Sequence, residues 1–478
     1  MNKSMDKVVS NSIILIFTRM FQRTIRIVLV IFSARILGVD NYGKFAFALA
    51  FTILFLIIAD MGLHQLFIRE VARDKKNIKK YVGNSLIIKM FLSIINLSLI
   101  FFIINLTNKP LEIKIAVYII ALYQILTSYN QFFKAVFHAF QEMRYDGITS
   151  LLQTLLETGL GISVLLLGGN FQSLACMFLI SSLLTLCWSV FITLKNFTAI
   201  SFNIDIKLIR FLIRESLPFG INYFFSTMYT YVDSVMLSLI ISDHAVGIYN
   251  SAYRLIFASL FIGEGIIRAI YPALSKYYKE SIEKFKDLFE KSIKIMFYLG
   301  FSLAALISFL SRKIIIFFYG LKYIAAADVI RILVWTVPLI YITNVMTHTV
   351  CSADRQRVTA RVIAFAAFLN LGLNFLLIPR FSYIGAAYAT LATEGFVFLF
   401  HLIYLYVKLV KPPIAKFALK IITVNTIMLF SAYLMGSVHV VLTCFIAVII
   451  NILMAVMVRL YSKEEILLIM NLLRFRKQ

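Results

Sequence analysis

Arg19, Arg23 and Arg26 follow one another at i, i+4 and i+7 in an otherwise apolar stretch, so a helix there carries all three on one face. A guanidinium stays charged at any working pH and presents a planar fork of donors, which suits phosphate and carboxylate groups. At roughly +2.5 to +3.5 kcal/mol each near the bilayer centre, three arginines cost about 9 kcal/mol. That nearly cancels the gain from some sixteen apolar residues at about −0.5 each. A helix with this stripe in lipid would barely insert. The stripe is therefore expected to line a water-filled space or to meet acids on other helices, while Arg19 can snorkel to the membrane surface.

Other polar groups share helical faces inside apolar segments. Asn222, Ser226, Tyr229 and Asp233 fall at i, i+4, i+7 and i+11, a set that suits sugar hydroxyls and equally suits hydrogen bonds between neighbouring helices. Arg254, Glu264 and Arg268 lie within a limited arc, Asp60 and His64 are four residues apart, Gln153 precedes Glu157 by four, and Thr390, Glu394 and His401 share one side. Each carboxylate is either half of a structural ion pair or a proton- or Na⁺-coupling group. The histidines are scattered without metal-ligand spacing, and no metal or bound cofactor is expected beyond a coupling H⁺ or Na⁺.

The elements that must position these residues follow from composition. The chain has 478 residues, 61% hydrophobic and 15% charged, with a mean hydropathy of +0.89. A soluble enzyme is excluded. Apolar runs near 20 residues, enough to cross a bilayer, recur near 10–36, 43–68, 83–106, 113–137, 147–168, 172–195, 213–240, 245–270, 289–311, 326–350, 357–378, 383–407, 416–435 and 438–460. The longest connections, around 196–213 and 271–290, are expected to carry short interfacial helices such as 282–289.

The net charge of +24 and pI near 9.8 first suggest nucleic acid, but the cations are scattered between spans instead of forming a stripe. They alternate from loop to loop. One set holds Lys3 and Lys7, then Arg69 to Lys80, Arg144, Lys195 to Arg214, Lys276 to Lys291, Arg355 to Arg361, Lys408 to Lys416 and Lys463 to Lys477. The other set is nearly bare, with Lys109, Arg312, Lys322 and Arg380 as its notable members. By the positive-inside rule both termini are cytoplasmic and the number of spans is even. Cys176, Cys187, Cys351 and Cys444 lack disulfide or metal spacing. The N-terminal apolar stretch lacks a cleavage site and reads as an uncleaved first helix.

A weak internal repeat is present. A shift of about 204 lays Tyr42-Gly43 onto Val246-Gly247 and sets Asp60 and His64 against Glu264 and Arg268. A shift of about 211 lays Met143-Arg144 onto Asp354-Arg355, and the segment ending at Gly168 onto the one ending at Pro379. Six helices separate the copies, so they share one orientation, related by an axis along the membrane normal. The expected organisation is an N-terminal six-helix bundle over 1–200, a second over 201–410, and two further transmembrane helices with a cytoplasmic tail over 411–478.

There is no P-loop, GxSxG or HExxH signature, and no TVGYG-like filter. The run Ser33-Ala34-Arg35-Ile36-Leu37-Gly38 with Tyr42-Gly43, the turn Val246-Gly247-Ile248-Tyr249-Asn250-Ser251-Ala252, the segment Leu369-Asn370-Leu371-Gly372-Leu373-Asn374 leading to Ile378-Pro379, and Gly385-Ala386-Ala387-Tyr388-Ala389-Thr390 together resemble the Wzx-type polysaccharide flippases. These belong to the multidrug/oligosaccharidyl-lipid/polysaccharide exporter superfamily. The resemblance implies an all-α integral membrane protein of about fourteen helices, in two pseudo-symmetric bundles forming a MATE-like V, plus two C-terminal helices. It implies a non-enzymatic flippase of the bacterial inner membrane that moves an undecaprenyl-pyrophosphate-linked repeat unit by alternating access, for O-antigen or capsule. Its partners would be the lipid-linked oligosaccharide, membrane lipids, and the polymerase and chain-length machinery. On this reading Arg23, Arg26, Arg254 and Arg268 meet the pyrophosphate and Asn222, Ser226 and Tyr229 meet sugars. Asp60, Glu157, Asp233, Glu264 and Glu394 serve coupling or pairing. The competing readings are a cation-coupled small-molecule exporter and a membrane-embedded glycan polymerase or ligase.

Overall fold

A computed structural model describes residues 2–436 and 438–461, with side chains described from Thr18 onward. The tail beyond 461, with Lys463, Arg474, Arg476 and Lys477, lies outside the described residues, as do the side chains of Lys3 and Lys7.

Fourteen α-helices follow in order: α1 Asn2–Asp60, α2 Leu63–Arg73, α3 Ile78–Asn105, α4 Leu111–Ala139, α5 Met143–Leu166, α6 Phe171–Asn196, α7 Ile206–Ile240, α8 Asp243–Glu280, α9 Ile282–Tyr319, α10 Ala326–Leu333, α11 Thr336–Ser352, α12 Gln356–Lys408, α13 Ile414–Leu434 and α14 Val440–Met457. No strand occurs among the described residues. An all-helical solution is what lipid demands, because a helix satisfies its own backbone where no water can. Eleven segments are long and apolar enough to cross a membrane. Two of them are divided, at Gly38 (φ 73°, ψ 175°) inside α1 and at Ser382 (φ 55°, ψ −134°) inside α12. With both halves of each counted, and the 35-residue α7 taken as a further pass, the described residues make about fourteen passes. It is a multi-pass membrane protein.

Several boundaries differ from the sequence reading. The second span does not run unbroken to residue 68: the left-handed pair Met61-Gly62 ends α1 and starts α2. The run 326–350 is likewise two helices, α10 and α11. No separate interfacial helix forms in 196–213 or 271–290. Residues 197–205 are non-helical and lead straight into α7, while residue 282 opens the 38-residue helix α9. A short amphipathic helix can instead extend a membrane helix, because continuing an existing helix avoids the cost of a new nucleus.

The chain divides into two compact units, Met1–Asn250 and Ser251–Gln478. In the first, α4 packs on α6, α1 on α5, and α7 on α1, α2 and α3. Its core includes Phe47, Phe51, Ile120, Leu174 and Ala175. In the second, α11 packs on α9 and α12, and Leu306, Leu310, Met428, Ala432 and Ala447 join α9 to α13 and α14. There Asn451 Nδ2 donates to Asn425 Oδ1 at 3.1 Å. Large apolar side chains remain outside, among them Phe91, Phe101 and Phe102 on α3 and Phe445 and Leu453 on α14. With lipid as solvent such faces cost nothing, and specificity passes to small and polar residues inside.

The repeat is visible in the backbone. The break at Gly38 has its counterpart where α7 gives way to α8 at 241–242. Gln141 (φ 59°) and Asp354 (φ 58°) each stand two residues before a helix, α5 and α12. Those left-handed residues are 213 apart, close to the shift of about 211 read from the sequence.

Candidate functional site

The first unit holds a polar seam between two apolar helices. Tyr123, Asn130, Lys134 and His138 recur on one face of α4, and Asp146, Ser150, Gln153 and Glu157 on one face of α5. The helices run antiparallel, so the first group of one list meets the last of the other. Tyr123 Oη donates to Glu157 Oε1 at 3.0 Å, and Asn130 Nδ2 to Gln153 Oε1 at 3.3 Å. Lys134 Nζ lies 3.4 Å from Asp146 Oδ1, and His138 Nε2 lies 2.9 Å from Asp146 Oδ2. Gln153 Nε2 also donates to Glu157 Oε1 at 2.8 Å, Ser150 Oγ to Asp146 Oδ1 at 2.9 Å, and Ser189 Oγ of α6 to Asn130 Oδ1. At about 1.5 Å per residue the seam is about 22 Å long, much of the hydrocarbon thickness.

The arginine stripe of α1 reaches the far end of this seam. Arg26 Nη2 lies 3.7 Å from Glu157 Oε2, with the carboxylate 3% exposed and the guanidinium 55% exposed. Arg23 is half-buried and Arg19 exposed. The spacing beyond hydrogen-bond length means that Tyr123 and Gln153 hold Glu157 in place, while Arg26 balances its charge.

A second buried cluster closes around Asp60. Lys89 Nζ lies 2.6 Å from Asp60 Oδ1 and donates to Ser128 Oγ at 2.7 Å, with the lysine side chain fully buried. His64 Nδ1 lies 2.7 Å from Asp60 Oδ2. The i, i+4 spacing of Asp60 and His64 was read as one helix, but the pair straddles the Met61-Gly62 break, Asp60 ending α1 and His64 sitting on α2. Lys89, Lys134 and Asp146 were missed by the sequence reading. For Lys89 and Lys134 the signal was there, since an ionisable residue within an apolar span is by default a site, whereas Asp146 falls just before the span read as 147–168.

The remaining predicted residues are distributed as follows. On α7, Asn222 and Ser226 are exposed, Tyr229 is half-buried, and Asp233 is buried and accepts from Tyr249 Oη at 2.7 Å. The face therefore grades from exposed to buried along its length. In the second unit Glu264 and Arg268 pair at 3.8 Å on α8 and Arg254 is half-buried. Glu394 and His401 are both buried on α12, and His401 Nδ1 lies 2.8 Å from the Val397 carbonyl oxygen. Asp60 with His64 and Glu264 with Arg268 occupy repeat-equivalent positions, and both are acid–base pairs. Among the described residues no group of three or more His, Cys, Asp or Glu forms a metal site, and the four cysteines are free thiols.

Comparison with known proteins agrees with this architecture. Residues 8–278 match a family model described as polysaccharide biosynthesis protein, and residues 218–376 match the MatE model. The chain is 23% identical over 376 residues to a protein named putative O-antigen transporter from Shigella dysenteriae, covering 78% of this chain and 93% of that one. It is 23% identical over 382 residues to the probable low-salt glycan biosynthesis flippase Agl15 of Haloferax volcanii, covering 80% and 79%. In fold it is similar to the lipid II flippase MurJ in an inward closed conformation, with a TM-score of 0.79 at 15% identity over 93% of this chain and 98% of that chain. The family match spans more than half of the chain and includes the arginine stripe, the Asp60 cluster and the α4–α5 seam. With the all-helical, internally repeated fold, it places this chain in the polysaccharide biosynthesis protein family of the multidrug/oligosaccharidyl-lipid/polysaccharide exporter superfamily.

Proposed function

We propose that this protein flips a lipid-linked oligosaccharide across the cytoplasmic membrane, with both termini on the cytoplasmic side. The observation that carries the reading is the half-exposed Arg26 guanidinium held only loosely, at 3.7 Å, against buried Glu157. An arginine so placed retains donors for an incoming anion, and a pyrophosphate is the anion that a planar fork binds best. In the resting state Glu157 balances the charge; with substrate present the pyrophosphate takes over that role. The substrate is an undecaprenyl-pyrophosphate-linked repeat unit for O-antigen or capsule, whose prenyl tail stays in lipid while the head-group crosses by alternating access. Arg23 joins Arg26 at the pyrophosphate, and Arg254 and Arg268 serve it in the second unit. The exposed Asn222 and Ser226, with Tyr229, meet sugar hydroxyls. Asp60, Asp233, Glu264 and Glu394, together with Glu157, are the candidates for H⁺ or Na⁺ coupling or for pairing. The relatives named as an O-antigen transporter, a glycan flippase and the lipid II flippase support this substrate class.

The test is deletion in the native host followed by complementation. Cells without the protein accumulate single lipid-linked units on the cytoplasmic leaflet and lose surface polysaccharide; wild type restores it and Arg26→Ala does not, although the variant inserts normally. Accumulation on the outer leaflet would instead indicate a polymerase. Normal polysaccharide with both Arg23→Ala and Arg26→Ala would remove the arginines from the mechanism.

A further inference from the structure

The start of α7 carries a cationic groove that the transport reading does not use. Lys207, Arg210 and Arg214 follow at i, i+3 and i+7 and are all exposed. With Ile206, Phe211 and Glu215 they line a groove of about 400 Å³. Glu215, the acid within it, is engaged by Arg69 Nη2 at 3.3 Å. Among the described residues neither Lys207, Arg210 nor Arg214 makes an ion pair or side-chain hydrogen bond. Three positive charges are left uncompensated within two turns.

The groove is built and held in place. Asn84 of α3, fully buried, donates through Nδ2 to the Asn203 carbonyl at 3.1 Å and accepts from the Asp205 amide at 2.9 Å. Asp205 caps α7 by accepting from the Leu208 amide at 3.0 Å. A Cβ on Gly83 would overlap the Ser201 carbonyl oxygen, so only glycine lets α3 approach this segment. Beside the cations stand exposed apolar side chains: Phe202, Ile204, Ile206, Phe211 and Ile213. At 35 residues, α7 is about 52 Å long against roughly 30 Å of hydrocarbon. Its excess length sets the first turns at headgroup level.

We infer that this groove binds the headgroup of an anionic phospholipid of the surrounding bilayer. The cations meet the phosphodiester and the apolar side chains enter the acyl boundary, the combination expected of a surface-seeking basic segment. The juxtaposition is independent of the transported substrate, so its test does not depend on that reading.

Purified full-length protein in detergent is titrated with phosphatidylglycerol or phosphatidylcholine, and bound lipids are counted by native mass spectrometry. Wild type prefers phosphatidylglycerol about tenfold, the order of effect expected of three partly screened cations beside one anionic headgroup. The preference falls at high salt. The triple variant Lys207→Gln, Arg210→Gln, Arg214→Gln binds both lipids alike, whereas Lys75→Gln, Lys76→Gln, Lys79→Gln in another basic segment keeps the preference. Should the triple variant not purify, Arg210→Gln and Arg214→Gln singly lower it in steps. No preference in wild type, or one that survives the substitutions, overturns the assignment. Displacement of phosphatidylglycerol by undecaprenyl pyrophosphate at equal concentration would also overturn it, giving the groove to the substrate.

Discussion

Asp40 and His244 stand 204 residues apart in the chain and touch, with Asp40 Oδ1 and His244 Nδ1 separated by 3.0 Å. The same interval matches Gly43 to Gly247 in the internal repeat. Nearby, Lys109 Nζ lies 2.9 Å from Asp243 Oδ1 and donates to the Ser238 carbonyl at 2.8 Å, which accounts for one of the few cations in the otherwise bare set of loops. In a background whose four native cysteines are replaced, Asp40→Cys with His244→Cys is expected to crosslink with a short bifunctional thiol reagent. A shift in gel mobility after cleavage of the chain between the two positions reads it out. Absence of crosslinking would mean that the two side chains do not meet.

Gly43 and Gly247 form the tightest helix crossing of this region. A Cβ on Gly43 would overlap the Asp243 carbonyl oxygen, and one on Gly247 the Val39 carbonyl oxygen. Both obstacles are backbone and cannot rotate away. Gly43→Ala and Gly247→Ala are therefore expected to lower stability by about 2 kcal/mol or more, within the range for overpacking. Gly265→Ala and Gly395→Ala meet nothing within 4 Å and should be neutral or slightly stabilising, since alanine reduces unfolded-chain entropy. Thermal midpoints of the four purified variants decide the matter; equal losses in all four would contradict the steric account.

Removing Lys89 strips Asp60 of its closest countercharge inside the membrane domain. Lys89→Met is expected to cost about 3–5 kcal/mol, the penalty for a buried charge left without its partner. The double variant Lys89→Met, Asp60→Asn should recover much of this loss, because neither charge remains. Unfolding in graded detergent mixtures gives the comparison, and additive losses would show that the two groups act independently.

Arg26 should behave in the opposite way. Its ion pair is long and its guanidinium half exposed, so when the buried Glu157 carboxylate is neutralised with it, in Arg26→Ala, Glu157→Gln, the loss is expected to be no more than about 1 kcal/mol. Glycan export should nevertheless fail. A large stability loss together with lost export would mark Arg26 as a structural residue and remove the main support for a pyrophosphate contact.

The spans were legible because hydropathy is a local property and lipid imposes a fixed length. The exceptions are informative. Met61-Gly62 breaks a helix and α10 gives way to α11 within runs read as single spans, so nothing in periodicity marks them, whereas the break at Ser382 falls between the spans read as ending at 378 and starting at 383. The repeat was legible as well, since Gly43 and Gly247, or Asp60 and Glu264, keep their order under one shift.

Which polar groups meet was not legible. Glu157 stood out in the sequence, but its pairing with Arg26 requires α1 to pack on α5. Asp60 was read as either half of an ion pair or a coupling group; it meets Lys89 of α3 and His64 of α2. Lys134 and Asp146 passed unnoticed because each stands near one end of its helix, where a charge reads as a loop flank, and the seam exists only once α4 and α5 lie antiparallel. The amino-acid sequence alone determined that this chain is helical, spans the membrane and is internally repeated, because burial in lipid acts on each segment separately. Only the tertiary structure decided which buried charges neutralise one another, because an ion pair depends on distances of a few ångströms between helices that are far apart in the chain.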